Sequence, residues 1–473
     1  MLLKNLALHI EILRYQYAFG VQKHLSQPYM DEIFHAGQMQ EYCLGRYLEW
    51  NNKITTPPGM YLFCLIIHIV YGSRYWIHLA ILWVLPDIIN KCDLSAFRLL
   101  NTVTGSLCGM CFAQVISCFW QNQSLELSQA EGMILAQFPL LYFLSLLYYT
   151  DVLSTFLVFL SLFLTLRKHH RTSAIVSLFS LTIRQTNIIW ALFLVGISIF
   201  PLNGSIRSGD QQLVYDVPAH DASFFDYVYF IKSLYRFLFQ QYKQIIQVIW
   251  PYIIVVLSFG AFLIYNRGIV LGDKTNHTVS IHLPQLFYFS VFTAFWGSPH
   301  LLTNGTIVHF FKWSLGSKWA CFRTCIIIMI MELIIHYNTK EHPFLMSDNR
   351  HYTFYIWRRL IKVHPLAKYM AAPFYYASIW VVLNKLMFYH KISYILLFTI
   401  ATTLVLGFTS LLEFRYFIIP YLLWRFSIQS SHELRLYAEA FLFLYINYIT
   451  TNTFLYKPFT WQSEPGSLQR FMW

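Results

Sequence analysis

Residues 173–200 read SAIVSLFSLTIRQTNIIWALFLVGISIF. A helix crosses a bilayer with about 20 apolar residues, and this run is long enough, yet Arg184, Gln185, Thr186 and Asn187 interrupt it. Four consecutive polar side chains inside such a run must face protein or water rather than hydrocarbon. The stretch therefore predicts a bundle of membrane helices with a polar break inside it. That break is either a structural kink or a surface turned toward a substrate.

The rest of the chain agrees with a membrane bundle. Of its 473 residues, 57% are hydrophobic and 12% charged, about half the roughly 25% charge of soluble domains. Apolar helical segments are predicted at about 5–21, 59–71, 75–90, 97–118, 133–148, 152–166, 173–201, 245–266, 284–300, 320–336, 369–388, 392–412, 416–428 and 436–455. Several are too short to cross alone and must tilt, pair or merge, so we expect about 11–15 spans in one all-α polytopic domain over residues 1–473. The ten-residue alternation of an outer-membrane barrel is missing. Aromatic residues, 19% of the chain, suit helix ends at the headgroup level.

The net charge of +12 collects in loops between spans, where basic residues set orientation, so no nucleic-acid partner is expected. Six of the eight cysteines (Cys64, Cys108, Cys111, Cys118, Cys321 and Cys325) lie in or beside apolar runs and read as small core residues. No ligand spacing suggests a metal. Residues 1–21 lack a clean apolar core and a cleavage site, and they contain Lys4, Glu11 and Arg14. They read as an interfacial helix, a span packed inside the bundle, or the shortened start of a longer chain.

Basic clusters at Arg167–Arg171, at Lys312–Arg323 and at Lys385 with Lys391 mark the cytosolic side. Residues 202–244, polar with an amphipathic portion, are expected as a cytosolic loop. Counting alternately from these anchors puts the polar, catalytic-type residues on the opposite face. They are the first loop at 22–58, Thr150-Asp151, Arg184–Asn187, the loop 267–282, a second large loop at 337–368 and Glu413–Tyr416. Of the sequons at Asn122, Asn203, Asn276 and Asn304, only Asn276 falls on that face.

Each constellation there has a bland alternative. Asp31 and Glu32 follow Pro28-Tyr29-Met30 at the end of the first segment. They supply a general base for an incoming hydroxyl, worth about 10²–10⁴ in rate, or simply a solvated helix end. Adjacent acids cannot share one helical face, and Asp31 is the one expected to point into a cleft. Thr56-Pro57 reads as a helix start, which is a cap or a phosphate site. Asp348, Arg350 and His351 sit among aromatics in residues 347–357 and could hold a phosphate and stack on a sugar; the alternative is an aromatic belt with a snorkelling arginine. Glu413-Phe414-Arg415-Tyr416 is a corner ion pair or part of a site. Walker, G-x-S-x-G, H-E-x-x-H and Rossmann signatures are missing.

In order along the chain stand PYMDEIFH (28–35), ITTPPGMY (54–61), LYYTD (147–151), RQTNIIW (184–190), RGIVLGD (267–273), HLPQLFYF (282–289), DNRHYTFYIW (348–357), LLEFRYFIIPY (411–421) and QRFMW (469–473). With this set the chain resembles the eukaryotic dolichyl-phosphoglucose-dependent alpha-1,2-glucosyltransferases, which add the terminal glucose to the lipid-linked oligosaccharide used for protein N-glycosylation. The resemblance departs in the short, charged first segment and in residues 202–244. It implies a GT-C glycosyltransferase bundle in the endoplasmic reticulum membrane, with a luminal catalytic cleft and no cofactor. The implied donor is dolichyl phosphate beta-D-glucose, and the implied acceptor is a diglucosylated dolichyl-diphosphate oligosaccharide. A beta donor and an alpha product imply inversion in one displacement, with Asp31 or Glu32 as base. His35, Arg184, Gln185, Asn187, Asp348, Arg350, His351 and Arg415 are then candidates for substrate or donor-phosphate binding. A transporter would instead place its charges at mid-membrane and show an internal repeat. A second enzyme reading is a dolichyl-phosphosugar transferase acting one step earlier.

Overall fold

A computed structural model describes residues 2–72, 92–200, 207–208, 211–274, 280–430 and 432–473. The expected segment 75–90 and the sequons at Asn203 and Asn276 lie outside the described residues. The chain is an all-α polytopic membrane protein. Its strands, among the described residues, form two short antiparallel hairpins, Arg207–Ser208 with Gln211–Gln212 and Phe459–Trp461 with Glu464–Gln469. Three described helices are long and apolar enough to cross a membrane alone: Leu94–Phe119, Tyr242–Asn266 and Lys318–Asn338. Pro139–Ser145 and Thr150–Leu166 reach that length only together, bent by 120°.

The segment expected at 133–148 is therefore not one helix. Leu125–Leu135 ends, and Pro139 opens a new helix to Ser145. Proline suits a first helical position because its missing N–H needs no partner there. The run 173–200 breaks where its polar residues fall, between the helices His170–Leu181 and Asn187–Ile199.

The chain forms two compact units. The first comprises Met1–Leu194, Trp250–Thr278 and Phe443–Tyr456. Its axis is Leu94–Phe119, packed on Leu125–Leu135 and on Thr150–Leu166. Gly132 permits that approach, since a Cβ there would stand 2.4 Å from the Ala113 nitrogen. The helix Leu2–His24 packs beside them with Glu11 and Arg14 turned inward. Arg14, fully buried, donates to Ser145 Oγ (2.7 Å) and to the Ala136 carbonyl (2.8 Å), and its Nε lies 3.3 Å from Glu11. Glu11 in turn accepts from Ser106 and Gln137, each at 2.7 Å. Around Glu11 and Arg14 this helix thus packs inside the first unit.

The second unit comprises Val195–Ile249, Val279–Leu442 and Lys457–Trp473. Pro284–Trp296 packs on Ala372–Tyr389, and Asn304–Leu315 pairs with Lys318–Asn338 around Gly316 and Ser317. Phe287, Met331, Ile335, Tyr375 and Tyr376 form a core there. Residues 343–361 fold as short helices, Pro343–Ser347 and Tyr352–Ile356 with a wider turn after them.

A polar knot also sits inside this second unit. Arg425 donates to both oxygens of Glu439 (2.8 Å each) and to Ser430 Oγ (2.9 Å), while His300 Nε2 lies 3.0 Å from Glu439. Arg425, Glu439 and His300 are at most 1% exposed. Removing one partner of a buried pair strands the other charge, at about 3–5 kcal/mol, whereas replacing both by apolar groups is often neutral. Arg425→Leu or Glu439→Leu alone should therefore lower the thermal midpoint of the detergent-solubilised protein clearly, and the double variant should recover most of the loss. A double variant as unstable as the sum of the singles would show that the pair is not an isolated unit.

Candidate active site

Asp31 stands at the start of the helix Glu32–Cys43. The residue before it, Met30, has φ +57°, a left-handed conformation that costs a non-glycine residue roughly 1–2 kcal/mol. That turn aims Asp31 away from the usual capping role: its side chain makes no cap hydrogen bond, and it is partly exposed. Its backbone N–H donates to Tyr149 Oη at 3.2 Å.

Glu32, the neighbouring candidate, is placed quite differently. It is fully buried, and its carboxylate takes four donors. These are Arg98 Nε (2.7 Å), Arg98 Nη2 (2.6 Å), the Tyr29 N–H (3.1 Å) and the Tyr148 N–H (2.8 Å). Arg98 also reaches the carbonyls of Leu25 (2.5 Å) and Gln27 (3.2 Å). A carboxylate with this many charge-assisted donors has no lone pair to offer a substrate hydroxyl.

The Tyr148 N–H belongs to the 120° corner between Pro139–Ser145 and Thr150–Leu166. A corner between helices leaves backbone groups without helical partners, and where it is buried each needs another donor or acceptor. Here Glu32 takes that N–H, and Asn101 Nδ2 donates to the carbonyls of Leu147 (2.6 Å) and Tyr149 (2.9 Å). The corner also projects Tyr149, Thr150 and Asp151. Arg184, in the break of the run 173–200, sends Nε to Thr150 Oγ1 (3.2 Å) and holds Nη1 2.9 Å from Asp151. Asp151 is 2% exposed, and its oxygens accept no hydrogen bond. Arg184 thus meets it as a charge rather than as a hydrogen-bonding fork.

The other break residues act structurally. Gln185 donates to the Thr55 carbonyl (2.7 Å), and Asn187 to Ser154 Oγ (2.9 Å) and the Ser180 carbonyl (3.0 Å). Gly59 receives the break, since a Cβ there would lie 2.1 Å from Thr182 Oγ1. Gly272, at φ +63°, tucks against the carbonyls of Asn52 and Ile54. His35 Nδ1 lies 2.6 Å from Tyr61 Oη, and its ring is 6.4 Å from that of Tyr149. The structure thus gathers PYMDEIFH, ITTPPGMY, LYYTD, RQTNIIW and RGIVLGD in the first unit.

Asp348, Arg350, His351 and Arg415 belong to the second unit. Arg350 donates to both Asp348 oxygens (2.8 and 2.6 Å) and to Gln469 Oε1 (2.9 Å), and stacks 4.8 Å over Trp461. Burial pushes the Asp348 carboxyl up, but the Arg350 hydrogen bonds and charge outweigh it and hold it below its ordinary value. His351 Nδ1 donates to the Trp473 carbonyl (2.6 Å). Arg350 and His351 thereby pin residues 348–352 to the C-terminal segment. Arg415 pairs with Glu413 and lies over Tyr416.

Sequence reasoning missed Arg98, Tyr149 and a disulfide between Cys43 and Cys92, whose Cα atoms are 6.4 Å apart. Arg98 left a signal, being an arginine at the start of an apolar run, where a charge needs an acid within reach. The two bonded cysteines are the pair that lies outside the apolar runs.

No solved structure matches the chain. Curated relatives do, almost end to end. A protein of Homo sapiens named Dol-P-Glc:Glc(2)Man(9)GlcNAc(2)-PP-Dol alpha-1,2-glucosyltransferase is 33% identical over 463 residues, 95% of this chain and 94% of its own. Relatives with the same name from Arabidopsis thaliana and Yarrowia lipolytica are 32% and 31% identical, each covering 94% of this chain and 95% and 93% of their own. The family model for DIE2/ALG10 matches residues 25–426, from just before the Asp31 turn to the end of the helix Ile418–Phe426. The chain belongs to the DIE2/ALG10 family.

Proposed function

We propose that this chain is an inverting glycosyltransferase of the GT-C type. It moves glucose from dolichyl phosphate beta-D-glucose to the terminal glucose of a diglucosylated dolichyl-diphosphate oligosaccharide, in alpha-1,2 linkage. The observation that carries this reading is the near-full-length likeness to relatives named for that reaction. In one displacement, the acceptor 2-hydroxyl oxygen attacks C1 of the donor glucose from the face opposite the phosphate. The C1–O bond breaks with its electrons leaving on dolichyl phosphate, and the hydroxyl proton passes to Asp31. The reading is supported by Asp31 being partly exposed at the start of its helix, while Glu32 is fully buried and spent on Arg98.

Arg184 is the guanidinium we assign to the growing negative charge of the phosphate. It adjoins the Tyr149 that holds the Asp31 backbone, is 16% exposed, and faces Asp151 without hydrogen-bonding to it. Arg350 has its donors on Asp348 and Gln469, which favours a scaffolding role for it. We place the reaction on the luminal face of the endoplasmic reticulum membrane. The Cys43–Cys92 disulfide beside the Asp31 helix supports an oxidising compartment there.

Loss of this protein should make lipid-linked oligosaccharide accumulate with two glucoses. Glycan profiling that instead found species with none or one would assign the chain to an earlier step. Asp31→Asn should lower glucosyl transfer by a factor of about 10² or more while the protein stays folded. Glu32→Gln should act first on thermal stability, because it leaves Arg98 buried with a neutral partner. The assignment is reversed if Asp31→Asn turns over normally and a folded Glu32→Gln is dead. Arg184→Ala should raise the donor KM more than the acceptor KM, and Arg184→Lys should recover it only in part, since a point charge lacks the fork. Unchanged donor dependence in Arg184→Ala would remove that residue from the phosphate.

A further inference from the structure

In the second unit, the turn between Asn304–Leu315 and Lys318–Asn338 encloses a cavity of about 510 Å³. His309, Lys312, Trp313, Ser317, Trp319 and Arg323 line it, and its lining holds no acidic residue. Lys318–Asn338 is one of the three described helices long and apolar enough to cross a membrane alone, and its 21 residues cover about the 30 Å of a hydrocarbon core. The Lys318 end, and the cavity with it, therefore lies at the headgroup level.

The lining has the chemistry of that level. Trp319 is 80% exposed and Trp313 44%, and indoles of this kind sit where apolar tails meet polar heads. Arg323 stacks 3.8 Å above the Trp313 ring and donates to the Trp313 carbonyl. That stacking fixes the guanidinium, yet its Nε is buried with no hydrogen-bond partner. Lys312, exposed on the opposite wall, adds a second positive charge. Leu315 and Phe322, which stand within two residues of Trp313, Ser317 and Arg323 in the chain, are both more than half exposed and offer apolar surface. Orientation rules explain why basic residues gather in such a turn. They do not explain why two of those charges line one cavity beside two exposed indoles, with no acid in the lining.

We propose that this cavity is a binding site for the headgroup phosphate of an anionic phospholipid. Arg323 and Lys312 supply the two positive charges, and the acyl chains run along Leu315 and Phe322. Basic pockets between membrane helices hold anionic headgroups in this way. The site is independent of the transfer reaction.

The test uses the full chain in nanodiscs of phosphatidylcholine with a minor fraction of phosphatidylserine, with retained lipid read by native mass spectrometry. Wild-type protein should retain phosphatidylserine above its share of the disc. Lys312→Gln should weaken retention roughly fivefold, the effect of one interfacial charge. Arg323→Gln removes the second charge and should also weaken it. Lys312 is exposed, so its variant folds even if a change at Arg323 disturbs the turn. Excess inorganic phosphate should not displace the lipid. Equal retention by wild type and Lys312→Gln, or displacement by inorganic phosphate alone, would overturn the proposal.

Discussion

The Glu32–Arg98 ion pair is the contact on which the rest of the first unit depends. Moving either ion out of water costs several kcal/mol, and such a pair holds only when its geometry is good and its remaining lone pairs and protons are satisfied. Both conditions are met: Glu32 takes four donors, and Arg98 spends its other N–H groups on the carbonyls of Leu25 and Gln27. The pair thereby joins three pieces of chain, the loop before Asp31, the long helix Leu94–Phe119 and the corner at Tyr148. The left-handed Met30 lies between the anchored Tyr29 and the anchored Glu32. Strain of that kind persists where surrounding contacts over-determine it, and with the Tyr149 contact it fixes the backbone from which Asp31 projects.

Other charges deep in the molecule follow the same rule. Arg14 meets Glu11, Arg184 meets Asp151, and Arg425 meets Glu439, each pair with little or no exposure. This makes an arginine in the chain weak evidence for anion binding until its acid is located. Arg350 looked like a phosphate ligand from its neighbours in sequence, but Asp348, two residues away, occupies its fork. Arg184 keeps 16% of its side chain exposed where Arg14 and Arg425 are wholly buried, which is why it stands apart from them.

The membrane class of the fold was legible because hydrophobic fraction and run length are local quantities. The position of the polar breaks was legible too: Arg184–Asn187 could not lie in lipid, and the helices do stop on either side of them. What the sequence could not reveal was pairing across distance. Arg98 and Glu32 are separated by 66 residues, and Asn101 serves carbonyls 46 and 48 residues away. No periodicity records such a match. The split of 133–148 was missed because its apolar character is continuous, and only Pro139 marks the new start. The difference between Asp31 and Glu32 was half legible. The rule that neighbouring acids diverge predicted that one would point away, but the donors that claim Glu32 come from elements far along the chain.

The 120° corner between Pro139–Ser145 and Thr150–Leu166 also bears on how the site tolerates change. Its bared N–H and carbonyl groups are answered by Glu32 and Asn101, side chains from two other elements. Lipid offers nothing in their place. The corner therefore holds only together with Leu94–Phe119 and the loop bearing Glu32. The bend that these contacts secure is the one that presents Tyr149 to the Asp31 backbone. Substitution of Asn101, a residue far from any reacting group, thus reaches the site through the shape of the backbone rather than through its chemistry.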